Sequence, residues 1–448
     1  MIFPLPLVPF EAYMLQDDRP AYPMNFFMRL RFSGRFDRPA LESALATAVA
    51  RHPLLSARVQ QRRRNRFDWV AADAQKPDLH WAPTPTGGGY PRCTGIPLPA
   101  QPGLRTYVLE GEAASDLLLQ FHHCCCDGLG AFAFIRDLLV AYASAVGTTS
   151  NQTALAPLDE QRLRRRGAYG LTPGRLLRML PRQLVGLSGV RQFFMHSPVT
   201  LTSSTLPGGA TSLPDEYPAA YTREFDENES AKLRSVAAQC GTTVNDLLIR
   251  DLFLALGQWR SRRQEGNGRG WLRMSVPVNL RTVNDRRLPA ANVVSMVFLD
   301  RRPEQFTNRR KLLQGIHDEM QLIKRLQLGL TFVFSLRAFH AVPGGLARMT
   351  KADRCTATCV LTNLGAPLAK VPLPREEGRL VAGNVVLETL DVLPPFRPRT
   401  QAAFAVFRYA RRLRITMHYD PRSLAADQAE DLLATFVQHG HESARWSE

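Results

Sequence analysis

Residues Asp116–Leu139 read DLLLQFHHCCCDGLGAFAFIRDLL. An apolar run ends in two histidines, three cysteines, an aspartate and a glycine, and a second apolar run begins at once. The first run, Leu117–Phe121, has the length of a buried strand. The second places Phe132, Ile135, Leu139 and Tyr142 on one helical stripe. His122–Gly128 is therefore read as a strand-to-helix turn, and three chemistries use its residue types. Zinc needs four ligands converging tetrahedrally, whereas neighbours in extended chain point apart, and no CxxC or HxxxH elsewhere completes a sphere. Vicinal cysteines rarely form an unstrained disulfide, and no resolving partner is suitably spaced, so Cys124, Cys125 and Cys126 read as small buried hydrophobes. The third chemistry is a histidine base. His123 closes a buried strand, Asp127 follows four residues later, and Gly128 lets the chain turn into the helix. On local sequence a pair of satisfied core histidines is an equal alternative.

The 448 residues exceed the size at which one core stops growing, so two domains of about 200 residues are expected. Hydrophobic residues at 45% and charged ones at 22% are ordinary globular values. No window of about 18 uncharged apolar residues suggests a transmembrane helix. The opening MIFPLPLVPFEAYMLQDD lacks a basic n-region and a small-residue cleavage pattern, so a cytoplasmic protein is expected. The seven cysteines (Cys93, Cys124, Cys125, Cys126, Cys240, Cys355 and Cys359) are odd in number and hold no C-x-x-C pair, which speaks for a reducing compartment. The net charge of +17, more arginine than lysine, fits a polyanionic partner: nucleic acid, an anionic membrane, or a phosphate-bearing molecule or acidic protein. An arginine-rich proteome gives the same charge with no partner.

Outward from the histidine turn, Arg29–Phe36 alternates as a strand. Asp37 caps a following helix, with Pro39 in its first turn and Leu41, Leu45, Ala48 and Val49 on one face. Leu104–Leu109 is a further strand candidate. Residues 148–218 change character: glycine, proline and small polar residues bracket the basic stretch QRLRRRGAYGLTPGRLLRMLPRQLVGLSGVRQFF. Its arginine–leucine mixture fits an interfacial helix on anionic lipid or a solvated bridging helix, and the interruptions at Pro173, Gly174 and Pro181 favour the second. The second half restarts with YTREFD, a helix over Glu227–Gln239, and a helix capped by Thr243 with Asp246 in a capping-box position. Strand-like runs recur at RMSVPVNL, NVVSMVFL, ATCVLTNLG, AAFAVFRYA and LRITMHYD, and Leu424–His439 closes the chain as a helix. The expected division is 1–175 as an N-terminal subdomain, 176–218 as a basic linker and 219–448 as a C-terminal subdomain.

The turn His122-His123-Cys124-Cys125-Cys126-Asp127-Gly128 reads H-H-x-x-x-D-G. With it the chain resembles the superfamily of chloramphenicol acetyltransferase-like acyltransferases, which holds condensation domains of nonribosomal peptide synthetases, alcohol O-acyltransferases, polyketide-associated acyltransferases and wax ester synthases. RLRFSGRFDRPALESALATAVARHPLL resembles the family's opening strand and helix. GTTVNDLLIRDLFLAL resembles the helix opening its second half, and SVPVNLR, PAANVVS and TNLG its later strand segments. The likeness covers nearly the whole chain, and the absent D-F-G-W-G sets it apart from the plant branch. The resemblance implies an α/β (α+β) fold of two such subdomains in a pseudo-dimeric V with a central tunnel. It implies His123 as general base, His122 as its structural neighbour, Gly128 keeping the turn, and Asp127 turned away and paired with an arginine, for which Arg281 is the candidate. Asn279 and Asn363 are tunnel or turn residues, and no metal is implied. No permanent cofactor is expected; an acyl-CoA or a phosphopantetheinyl thioester on an acidic carrier protein would be co-substrate. A small alcohol or amine would be acceptor, oxygen first. Arg62–Arg66 and Arg162–Arg166 are candidate phosphate or carrier contacts. A monomer without specific nucleic-acid binding is expected, with peripheral membrane contact left open. The rivals are a free-standing amide-forming condensation enzyme, a catalytically inactive binding module of the same fold, and a charge-only nucleic-acid binder, for which no recognition motif is present.

Overall fold

The computed structural model describes residues 2–63, 66–72, 79–85, 89–147, 154–203, 211–266, 268–351 and 354–446. The strand Asn25–Ser33 forms because NFFMRLRFS is nearly all buried, apolar on one side and carrying Arg29 and Arg31 on the other. It pairs antiparallel with Ala114–His122 in a register that sets Asn25 opposite His122. These two strands are the centre of a seven-stranded sheet. Its order runs Arg375–Glu376, Arg379–Ala382, Val385–Leu393, Asn25–Ser33, Ala114–His122, Leu104–Glu110, Leu79–Pro83.

A six-stranded sheet follows the order Val294–Arg301, Leu272–Asn279, Cys359–Asn363, Ala402–Tyr409, Arg412–Tyr419, Ala219–Phe225. A three-stranded sheet joins Leu5–Pro6, Arg66–Ala71 and Ala57–Arg63. Two large cores result. One holds Phe32, Trp69, Phe121 and Phe134; the other holds Phe253, Trp259, Phe404 and Phe436.

Local signals act as the sequence leads one to expect. Asp37 accepts from Ala40 N–H at 2.8 Å at the start of the helix Arg38–Arg51. Thr243 and Asp246 form a reciprocal capping box on Val244–Arg262. The helix Gly128–Ala145 is the one described helix long and apolar enough to cross a membrane, yet most of that apolar surface packs inside the core, against Arg38–Arg51 among others. Its buried Asp137 accepts from Arg51 at 2.7 Å and lies 3.4 Å from His52 Nε2.

Two expectations need correction. The sheets do not divide where residues 219–448 begin, because Val385–Leu393 is a strand of the first sheet, antiparallel to Asn25–Ser33. Without it Asn25–Ser33, apolar and central, would be an unpaired edge with open backbone donors and acceptors. Nor do Pro173, Gly174 and Pro181 interrupt the basic segment. A single helix runs Pro173–Met195, with Pro173 in its first turn, where no N–H partner is lost, and Pro181 accommodated inside. Leu390 lies in the crossing strand and is 1% exposed. Leu390→Ala is expected to cost about 2–5 kcal/mol, as for other buried leucines. A lowered urea midpoint would register it, and an unchanged midpoint would deny the strand this role.

Candidate active site

The turn is built from main-chain bonds before any side chain acts. His122 N–H donates to Gly103 C=O at 2.8 Å, His123 N–H to Met24 C=O at 2.7 Å, and Cys125 N–H to His122 C=O at 2.9 Å. Asp127 then caps the helix Gly128–Ala145, accepting from Gly130 N–H at 2.9 Å. The three cysteines point into the core and are fully buried. Burial pushes each thiol well above its ordinary value, so none is a thiolate nucleophile. His122 is buried too. Its Nδ1 accepts from Cys124 N–H at 3.1 Å, which puts the proton on Nε2, 3.5 Å from Asp18.

His123 differs. Its ring lies against Phe10 and Phe26, with centroids at 6.4 and 5.3 Å, and lines a cavity of about 170 Å³ between the two large sheets. One water needs roughly 10–15 Å³, so there is room for part of a substrate. Nδ1 is buried without a hydrogen bond of standard geometry. Burial pushes the imidazole pKa below its ordinary value, only partly offset by its own backbone carbonyl and the Asp127 charge. A shift in that direction favours the neutral ring near pH 7. The first sheet's side supplies Phe10, Met14 and Phe26 to the walls; the second supplies Val294, Met296 and Phe298.

Asp127 carries no proton for this ring. Arg281 grips it with both Nη atoms at 2.8 Å, and Val293 N–H donates to it at 2.9 Å. Burial alone would lift this carboxyl, but the Arg281 charge and hydrogen bonds, with the Val293 and Gly130 amides, hold it below the usual carboxylate range. Arg281 also donates to Ala291 C=O at 2.9 Å. The segment Ala290–Val293 is thus a clasp for the loop, and it is fastened elsewhere as well. His52 Nδ1 accepts from Ala290 N–H at 2.8 Å, and the fully buried Asn292 amide donates to the carbonyls of His123 and Cys124 at 2.7 and 2.8 Å.

Asn292 is a residue the sequence reading did not single out. Gly128 does not have the left-handed φ that favours glycine, and a Cβ there would meet only the end of the Leu364 side chain, at 2.9 Å. Gly130 is more constrained, since its Cβ would meet Ala291 main-chain atoms at 3.0 and 3.1 Å.

Asn279 and Asn363 both line the cavity, and both are also turn residues. Asn279 accepts from Arg281 N–H at 3.0 Å and Asn363 from Gly365 N–H at 2.9 Å. Asp17 and Arg397, not anticipated, add a buried ion pair to the same cavity, with Arg397 Nη2 at 3.0 Å from Asp17 Oδ1. The candidate arginine patches fare unevenly. Arg166 is buried and bound to Glu11 at 2.6 and 2.7 Å, so it is no external phosphate contact. Arg162 pairs with Asp159 at 3.2 Å, whereas Arg164 and Arg165 are exposed. In the other patch Arg62 lies 3.7 Å from Asp68, and residues 64 and 65 fall outside the described residues.

No protein-family model matches the chain. Two uncharacterized proteins of Mycobacterium tuberculosis, from strains CDC 1551 and H37Rv, are each 26% identical over 384 residues, 81% of this chain and 83% of theirs. Among solved structures, the trichothecene 15-O-acetyltransferase TRI3 of Fusarium sporotrichioides superposes with a TM-score of 0.71 at 12% identity, covering 98% of this chain and 95% of its own. Polyketide synthase associated protein 5 of M. tuberculosis gives 0.63 at 15%, over 99% of both chains. The first condensation domain of the CDA synthetase gives 0.68 at 17%, over 98% of this chain and 95% of its own. The likeness is one of fold: the chain shares with these acetyltransferase and condensation-domain structures a mixed α/β fold, with a cavity at the meeting of its two halves.

Arg281→Met should leave the Asp127 carboxylate buried and unpaired, at a cost of about 3–5 kcal/mol near pH 7. The depressed Asp127 pKa contributes stability that is present above the unfolded carboxylate value and lost as pH falls through the folded one. In the variant burial is left to raise the Asp127 carboxyl, which then takes up a proton on acidification, so the deficit should shrink toward pH ~4. Urea midpoints at the two pH values check this, and an equal deficit at both would contradict it.

Proposed function

We propose that the chain is an acyltransferase moving an acyl group from a thioester to an acceptor hydroxyl or amine, with His123 as general base. One observation carries the reading: the His123 imidazole, its Nδ1 buried, lines a cavity walled by both sheets. The acceptor's proton passes to Nε2 as its oxygen or nitrogen bonds to the thioester carbonyl carbon. As the tetrahedral intermediate collapses the C–S bond breaks, and the leaving sulfur takes the proton back from the imidazolium. Nothing covalent forms on the protein, in keeping with three protonated, buried thiols. Asp127 and Arg281 hold the loop and stay out of the proton path. The donor is an acyl-CoA or a carrier-bound phosphopantetheine thioester. The apolar walls at Phe10, Phe26, Met296 and Phe298 suit a hydrocarbon portion. Alcohol acceptors come first by analogy with the O-acetyltransferase neighbour; the likeness to condensation domains keeps amide formation as the second reading.

Incubating the protein with a panel of acyl-CoAs and alcohols or amines, with thiol release and product mass followed, tests the proposal. His123→Ala should lower turnover about 10²–10⁴-fold, the usual worth of general base catalysis. Turnover by the wild type that His123→Ala leaves unchanged would remove the base from its role, and ester against amide mass separates the two readings.

Because the His123 pKa is lowered, the basic form persists on the acid side of the ordinary imidazole value. The acid limb of kcat/KM should lie below about pH 6.5. A limb at or above that value would mean the titrating group is not this buried ring.

A further inference from the structure

The helix Pro173–Met195 wears its apolar residues outward. Five of the eight large hydrophobic side chains exposed among the described residues belong to it: Leu177 at 69%, Val185 at 42%, Leu187 at 56%, Phe194 at 56% and Met195 at 65%. At 100° per residue these five fall within about half the circumference. The opposite side is the one that docks on the protein. Met179 is buried there, Gly186 has no room for a Cβ beside Thr331, and the Thr331 hydroxyl donates to Gln183 at 2.8 Å. A solvated bridging helix would turn charged and polar groups outward. Here leucine and phenylalanine face out beside exposed arginines, Ser188 and Gln192.

The charge on this helix has one sign. Pro173–Met195 contains Arg175, Arg178, Arg182 and Arg191 and no aspartate or glutamate. Arg178, Arg182 and Arg191 are exposed and make no ion pair among the described residues. An apolar face with Arg191 within it, Arg178 at its edge and Arg182 beyond complements a surface that is hydrocarbon within and anionic at its face. An acidic protein groove would satisfy the arginines but would leave Leu177 and Met195, at opposite ends of the helix, to a second apolar partner.

We propose that Pro173–Met195 docks the protein on an anionic lipid surface, its leucine–phenylalanine stripe inserted at the acyl boundary and its arginines on the headgroup phosphates. The docked end adjoins the cavity: the Phe193 ring packs at 4.8 Å on Phe298, which lines it. The proposal is independent of the chemistry at His123, so binding is measured without turnover.

Full-length protein is sedimented with vesicles of phosphatidylcholine alone and of phosphatidylcholine mixed with phosphatidylglycerol. Binding to the mixed vesicles, weakened by salt and at least about tenfold stronger than to phosphatidylcholine alone, is the expected result. The double variant Leu187→Glu/Phe194→Glu and the variant Arg182→Glu/Arg191→Glu should each lose it by about tenfold or more. All altered residues are exposed, and circular dichroism with a thermal melt confirms that each variant folds. Failure of the wild type to bind the mixed vesicles would overturn the proposal, as would full binding by both variants. A dimer in sedimentation equilibrium that dissociates in the Leu187→Glu/Phe194→Glu variant would also overturn it, by showing that a second copy covers the stripe.

Discussion

The ion pair between Asp127 and Arg281 joins the two halves at the edge of the cavity that His123 lines. Taking both charges out of water is costly, and the pair is kept because every lone pair on the carboxylate is used: two guanidinium hydrogens and the amides of Gly130 and Val293 converge on it. The bonds come from different parts of the chain, so satisfying Asp127 brings the helix start, the strand end at Arg281 and the Ala290–Val293 segment to one point. His123 gains its position from that convergence. Its carbonyl is fixed by Asn292, its N–H by Met24, and its ring by Phe10 and Phe26. An imidazole of depressed basicity needs such anchoring, because a loosely held ring would turn toward water and recover its ordinary pKa.

The crossing of Val385–Leu393 into the first sheet extends the same logic to the scaffold. Two α/β halves that met only through side chains could slide past one another. A shared strand sets the lateral register, and the continuation Pro394–Phe396 goes straight into the cavity lining. Gly130, lying against the Ala291 backbone, removes the remaining slack by bringing main chain to main chain.

The sequence disclosed the turn because its chemistry is contiguous: His122 to Gly128 sit between an obvious strand and an obvious helix, and Arg281 closes a strand of unmistakable β character. Caps such as Asp37 and Thr243 are local in the same way. Asn292 escaped notice because it acts through its amide on main-chain carbonyls, a job that leaves no pattern of neighbouring residue types. Val385–Leu393 is not among the strand-like runs read from the sequence; its partner lies more than 350 positions away, and pairing at that distance is decided by burial that no local window contains. Gly130 was hidden behind Gly128, since only the assembled backbone reveals which of two adjacent glycines touches another chain segment. The prolines of residues 173–181 misled for a plain reason: one stands where the first turn has no hydrogen bond to lose.

The three cysteines beneath His123 are sealed and protonated, while Cys240 and Cys355 are only partly buried. Electrophiles that seek sulfur will therefore find the outer pair first and reach the inner three only when the strand-to-helix turn comes apart. Labelling of Cys124, Cys125 and Cys126, told apart by peptide mass from the equally buried Cys93 and Cys359, thus acts as a native clock for that event, timing how often the floor beneath the imidazole opens without any probe being engineered into the molecule.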